Sequence, residues 1–138
     1  MGAAAGGALA AGGAVTGVTS VHFNTPQLAH PGLTRLEVVE TIHQRKARMA
    51  ELSDAFIALP GGYGTFEELF EILAWAQIGL HSKPVGLLNV RCFYDPLLKM
   101  VEHAFAEGFI YNRERVLLSQ AAAPEALLDV LVGAQPPA

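Results

Sequence analysis

The feature that most constrains this chain is an alternation. Short apolar runs at 14–19 (AVTGVT), 36–39, 54–59 (DAFIAL), 83–90 (KPVGLLNV) and 115–119 are separated by segments with helical character. Helices are predicted over 3–11, from Thr41 to about Ser53, and over 65–80, 95–107 and 124–132. Near-continuous apolar strands alternating with helices fit a parallel sheet covered by helices on both faces. Ligands of such sheets sit beyond the carboxyl ends of the strands, so each strand-to-helix loop is a place to look for chemistry.

Charge patterning removes several alternatives. The 138 residues carry 9 Lys and Arg against 13 Asp and Glu, a net charge of −4. That balance lacks the basic face needed to bind nucleic acid through its phosphates. The apolar content of 51% is too high for a disordered chain. No charged residue precedes Arg35, and residues 2–13 are Ala and Gly except for Leu9. A secretory leader would need a basic start and a stronger apolar block. Six glycines among the first 17 residues dilute the stretch too far for a membrane span. The expectation is a soluble, cytoplasmic chain that begins inside structure, with its uncharged start buried in the core. Cys92 has no second cysteine to pair with and reads as a packing residue. Residues 1–138 read as one domain, with 133–138 a frayed tail.

Local signals fix some element ends. Gly12-Gly13 should stop the first helix. Thr41 and Gln44 have the spacing of a capping box. Three candidates for chemistry stand out. The loop Pro60-Gly61-Gly62-Tyr63-Gly64-Thr65 lies between a strand and a helix. Its glycines let the backbone approach a ligand, and the helix N-terminus beyond favours an anion such as phosphate, with the Thr65 hydroxyl as an extra donor. Glu68 follows within the first turns of that helix. Phe66, Leu69, Phe70 and Leu73 form one apolar side, whereas Glu68, Ile72 and Trp75 share another, so a second cover, such as a second subunit, is expected there. Arg45 occupies the row Ile42, Arg45, Met49, Leu52 and should meet a buried carboxylate or a ligand anion. Lys46 and Arg48 fall off that row and read as a solvated face, although Lys46 could reach a phosphate. The five histidines lack metal-ligand spacing, so neither a metal nor a cofactor is expected. Phe70, Trp75 and Phe93 read as core or interface.

Residues 60–68 (PGGYGTFEE) match the PGGxGTxxE signature of the Lonely Guy family, cytokinin riboside 5′-monophosphate phosphoribohydrolases often labelled lysine decarboxylases. Residues 43–49 (HQRKARM) resemble the family's second motif, and 29–34 (AHPGLT) is also similar. The resemblance runs from Gly2 to about Leu131. It implies a Rossmann-like fold, usually dimeric, that cleaves the N-glycosidic bond of a nucleoside 5′-monophosphate to an adenine-type base and ribose 5-phosphate. By position, Arg45 and Glu68 match the catalytic pair. Gly62, Tyr63, Gly64 and Thr65 match the phosphate loop, with Gly61, Glu67 and Lys46 completing the binding set. A homodimer through the helix carrying Ile72 and Trp75 is implied; no nucleic-acid or membrane partner is. Gln27 departs from an acidic residue common in the family. The family's opening strand, helix, strand and GGGxxGLMG turn are missing up to Met1-Gly2, so the chain reads as N-terminally truncated relative to the family. A nucleotide-binding module without turnover, similar to molybdenum-cofactor carriers, and an inactive truncated member are the alternatives.

Overall fold

The computed structural model describes residues 2–25, 30–111 and 118–133. They group into two units, residues 1–53 and 54–138. Gln27 and residues 115–117 of the last expected strand lie outside the described residues, as does the tail beyond 133.

The first unit opens with helix α1 (Gly2–Ala10). It ends as Gly12-Gly13 foretells. Gly12 takes φ +81°, its N–H donates to the Leu9 carbonyl at 3.0 Å, and the Gly13 N–H reaches back to the Ala8 carbonyl at 2.8 Å. This double closure satisfies carbonyls left open by the last turn. Strands β1 (Thr16–Ser20) and β2 (Arg35–Val39) pair in parallel, Thr16 opposite Arg35 through Ser20 opposite Val39. Helix α2 (Ile42–Leu52) packs on this ribbon. Its capping box is complete. The Gln44 N–H donates to Thr41 Oγ1 at 3.1 Å, and Gln44 Oε1 accepts from the Thr41 N–H at 3.2 Å.

One expectation fails here. No residue of α1 is buried. The uncharged start is not core, because Ala and Gly offer little side chain and a two-stranded ribbon offers little surface to cover them.

In the second unit, β3 (Phe56–Ala58), β4 (Val85–Leu88) and β5 (Leu118–Ala121) form a parallel sheet in that order. Helix α3 (Tyr63–Gln77) connects β3 to β4, α4 (Asp95–Ala106) lies between β4 and β5, and α5 (Pro124–Gly133) follows β5. The central strand is buried on both faces. Val85 and Leu87 are 1% and 0% exposed on one face. On the other, Gly86 lets α5 come close: a Cβ there would stand 2.9 Å from Leu127 and 3.0 Å from Leu131. Leu127 and Leu131 are themselves buried. His81 ties the end of α3 to the start of β4. Its Nδ1 accepts the Lys83 N–H at 3.1 Å, which leaves Nε2 to donate to the Ile72 carbonyl at 2.9 Å. Parallel strands in sheets flanked by helices make this a Rossmann-like α/β fold.

The buried face of α3 is Leu69, Ile72 and Ala76. That corrects the two-sided reading of this helix. At 100° per residue these three lie between the two predicted sides. Ile72 therefore belongs to the chain's own core, while Phe70 is 40% exposed.

Candidate active site

The Gly-rich loop leaves the carboxyl end of β3, where a ligand of such a sheet is expected. The sequence places the helix start at Thr65; the structure places it at Tyr63. Gly62 is the N-cap and offers no side-chain cap. The first closed helical bond runs from the Phe66 N–H to the Gly62 carbonyl, 3.1 Å. The N–H groups of Tyr63, Gly64 and Thr65 thus form the open first turn of a 15-residue helix. This is the arrangement that favours an anion.

The glycines of the loop differ in what surrounds them. A Cβ on Gly61 would collide with the Thr65 hydroxyl, which folds back over it, and would stand 2.9 Å from Thr65 Cβ. Gly61 is therefore fixed by close approach. At Gly62 and Gly64 a Cβ would meet nothing within 4 Å, so the space above both is open. Tyr63 is 93% exposed. Glu67 is exposed and Glu68 half-buried, one turn into α3.

The residues of the second motif lie on α2. Arg45 is half-buried and its Nε donates to the Val18 carbonyl of β1 at 3.0 Å. Lys46 is 4% exposed, which overturns its reading as a solvated residue. The physical reason is simple: Lys46 is four residues after Ile42 and three before Met49, so it shares their face. Arg48 is not plainly solvated either. It forks onto Glu37 at 2.7 and 3.2 Å and reaches Glu51 at 3.0 Å. The Arg48 hydrogen bond holds the Glu37 carboxyl below its ordinary value.

A further correction concerns the turn after β4. Cys92 is exposed rather than packed, and it lies with Arg91 in a turn of left-handed φ, 59° and 54°. Phe93 is 43% exposed, stacked at 6.5 Å on Phe66 of α3 and edge-on at 4.9 Å to Tyr94. The polar residues that anchor this turn, Asn89 and Tyr94, escape sequence reasoning. The available signal was an Asn closing the most apolar strand of the chain. Among the described residues no cluster of His, Cys, Asp and Glu could hold a metal, and no helix is long and apolar enough to cross a membrane.

Fold and loop together define a Rossmann-like protein with an anion-favouring helix N-terminus at the carboxyl edge of its sheet. The family model described as "Possible lysine decarboxylase" matches residues 1–131, and the chain belongs to that family, the one the motifs resemble under the name Lonely Guy. A cytokinin riboside 5′-monophosphate phosphoribohydrolase of Rhodococcoides fascians is 56% identical over 121 residues, covering 86% of this chain and 61% of the relative. A probable enzyme of the same name from Oryza sativa subsp. japonica is 48% identical over 117 residues, 85% of this chain and 48% of the relative. One from Arabidopsis thaliana is 46% identical over 114 residues, 82% of this chain and 54% of the relative. The chain thus spans roughly half to three-fifths of the length of these relatives.

Proposed function

We propose that this chain hydrolyses the N-glycosidic bond of an adenosine or cytokinin riboside 5′-monophosphate, releasing an adenine-type base and ribose 5-phosphate. The observation that carries the reading is the open first turn of α3 behind Gly61-Gly62, in a chain 56% identical to a relative of that name. Tyr63, Gly64 and Thr65 would receive the 5′-phosphate, with Gly61, Gly62, Lys46 and Glu67 contributing to substrate binding. As the bond from C1′ to the base breaks, its electron pair leaves with the base, which takes a proton from solvent, and positive charge builds on the ribose. The Glu68 carboxylate stabilises that charge and takes a proton from the water that attacks C1′. Arg45 supplies a fixed positive charge toward the phosphate or the departing base. We assign residues 1–138 to one nucleotide-processing domain, acting as a cytoplasmic homodimer through α3, where Trp75 is half-buried and Phe70 exposed.

Incubation with adenosine 5′-monophosphate, followed by chromatography for free adenine, tests the reading. Release is expected from the wild-type chain and a loss of at least about a hundredfold from Glu68→Gln, the scale of one lost general base. No release above the Glu68→Gln control contradicts hydrolysis. Calorimetric binding without release would favour a carrier module instead.

A further inference from the structure

Within the loop Thr65 folds back over Gly61, but Gly61 and Gly62 carry no side chains and Gly62 gives α3 no cap. The stretch where the loop leaves β3 is held from elsewhere in the fold. The three strand ends of the second unit are tied together by side chains that the proposed reaction does not use. Leu59 is the last residue before Pro60, and its carbonyl accepts the Tyr94 hydroxyl at 2.6 Å. Tyr94 is fully buried, and burial raises its phenol above the ordinary value, so it stays a donor. Asn89, 7% exposed, directly follows β4. Its Oδ1 accepts the Tyr94 N–H at 2.7 Å, which orients the amide. Its Nδ2 then donates to Asp95 Oδ1 at 2.8 Å and Gln120 Oε1 at 2.6 Å. Its own N–H extends the sheet to the Ala121 carbonyl at 2.8 Å. The two left-handed residues, Arg91 and Cys92, sit between these anchors. Such backbone strain persists only where its surroundings over-determine it.

We propose that Asn89 and Tyr94 are positioning residues for the Pro60–Thr65 loop. Asn89 fixes Tyr94, and the Tyr94 hydroxyl fixes the carbonyl from which the loop departs. Pro60, with its locked φ and absent N–H, passes the orientation of the Leu59 peptide directly to Gly61. The inference rests on the reading of this loop as the phosphate cradle, and its substrate-side effect is selective grip on the 5′-phosphate.

Tyr94→Phe keeps the buried ring and removes only the bond to Leu59. Two readouts are expected to move. By nuclear magnetic resonance, amide exchange at Phe66 rises about five- to tenfold, the size of one lost buried hydrogen bond, while Val85–Leu88 keep their rates. In turnover, KM for adenosine 5′-monophosphate rises by a similar factor and kcat stays within about twofold. Unchanged exchange at Phe66, or equal acceleration throughout β4, overturns the positioning role. A wild-type chain that releases no base would defeat the hydrolase reading, and the exchange experiment would still decide the positioning role.

Discussion

The two units bury different kinds of residue. In residues 54–138 the buried set includes Leu69, Val85, Leu87, Tyr94, Leu127 and Leu131, with Asn89 as its buried polar member. In residues 1–53 the buried residues among those described are Ser20 and Lys46, while Leu36 and Val38 of β2 are 40% and 44% exposed. One unit is held by an apolar core between helix and sheet. The other relies on polar ties: the Thr41 capping box, Arg45 on the Val18 carbonyl and Arg48 on Glu37. The same alternation of strand and helix therefore gives two energetically unlike halves. In the second unit a third strand leaves β4 paired on both edges and α5 packs over Gly86, whereas the two-stranded ribbon of the first unit has no central strand to build a core around.

The largest effects should separate the halves most sharply. Leu127→Ala, in the contact between α5 and Gly86, should cost about 3–4 kcal/mol by loss of transfer energy and an unfilled cavity. Leu36→Ala in β2 should cost less than about 1 kcal/mol, as for an exposed site. Denaturant midpoints compare the two, and equal losses would erase the distinction. Thr41→Ala removes the cap of α2 and should lower stability by about 1 kcal/mol. A residue-resolved probe should locate that loss in the first unit.

The second unit carries strain that the first lacks among its described residues. Arg91 and Cys92 are the non-glycine residues at positive φ among those described. Cys92→Gly should relieve the cost of a side chain in that region and gain about 1 kcal/mol, read as a higher melting temperature. The smallest effect is an acid one. Glu37 is held below its ordinary value, so its pair with Arg48 stabilises the fold above the ordinary carboxylate range and is lost as pH falls through the lowered value. Wild type should therefore lose stability in acid more steeply than Glu37→Gln. Parallel acid profiles would remove the pair from the ledger of the first unit.

What the sequence disclosed follows the range of each interaction. The Gly12-Gly13 stop and the Thr41–Gln44 box are closed within a few residues, and both stand as read. The loop at Pro60 was legible as a Gly-rich strand-to-helix junction. Its helix begins two residues earlier than the spacing suggests, because Tyr63 and Gly64 enter the first turn. Lys46 and Ile72 were misplaced because a buried helix face is an arc, not a single row of residues. The Asn89 and Tyr94 clamp was out of reach. Its partners Leu59 and Gln120 are 35 residues from Tyr94 and 31 from Asn89, and only folding brings them together. Cys92 was misjudged because nothing local announces a left-handed cysteine.

In the proposed reaction the open first turn of α3 grips the 5′-phosphate of a nucleotide whose glycosidic bond is then cut. Gly64→Asp tests it most directly. Nothing lies within 4 Å of a Cβ at that position, and a carboxylate in the first turn of a helix favours the helix. The variant should keep or slightly raise the melting temperature, yet its negative charge would stand where the phosphate must bind. The measurement is kcat/KM for adenine release from adenosine 5′-monophosphate, wild type against Gly64→Asp. A fall of at least about a hundredfold is expected, in line with one misplaced charge in a binding site. An unchanged kcat/KM in a folded variant would contradict it.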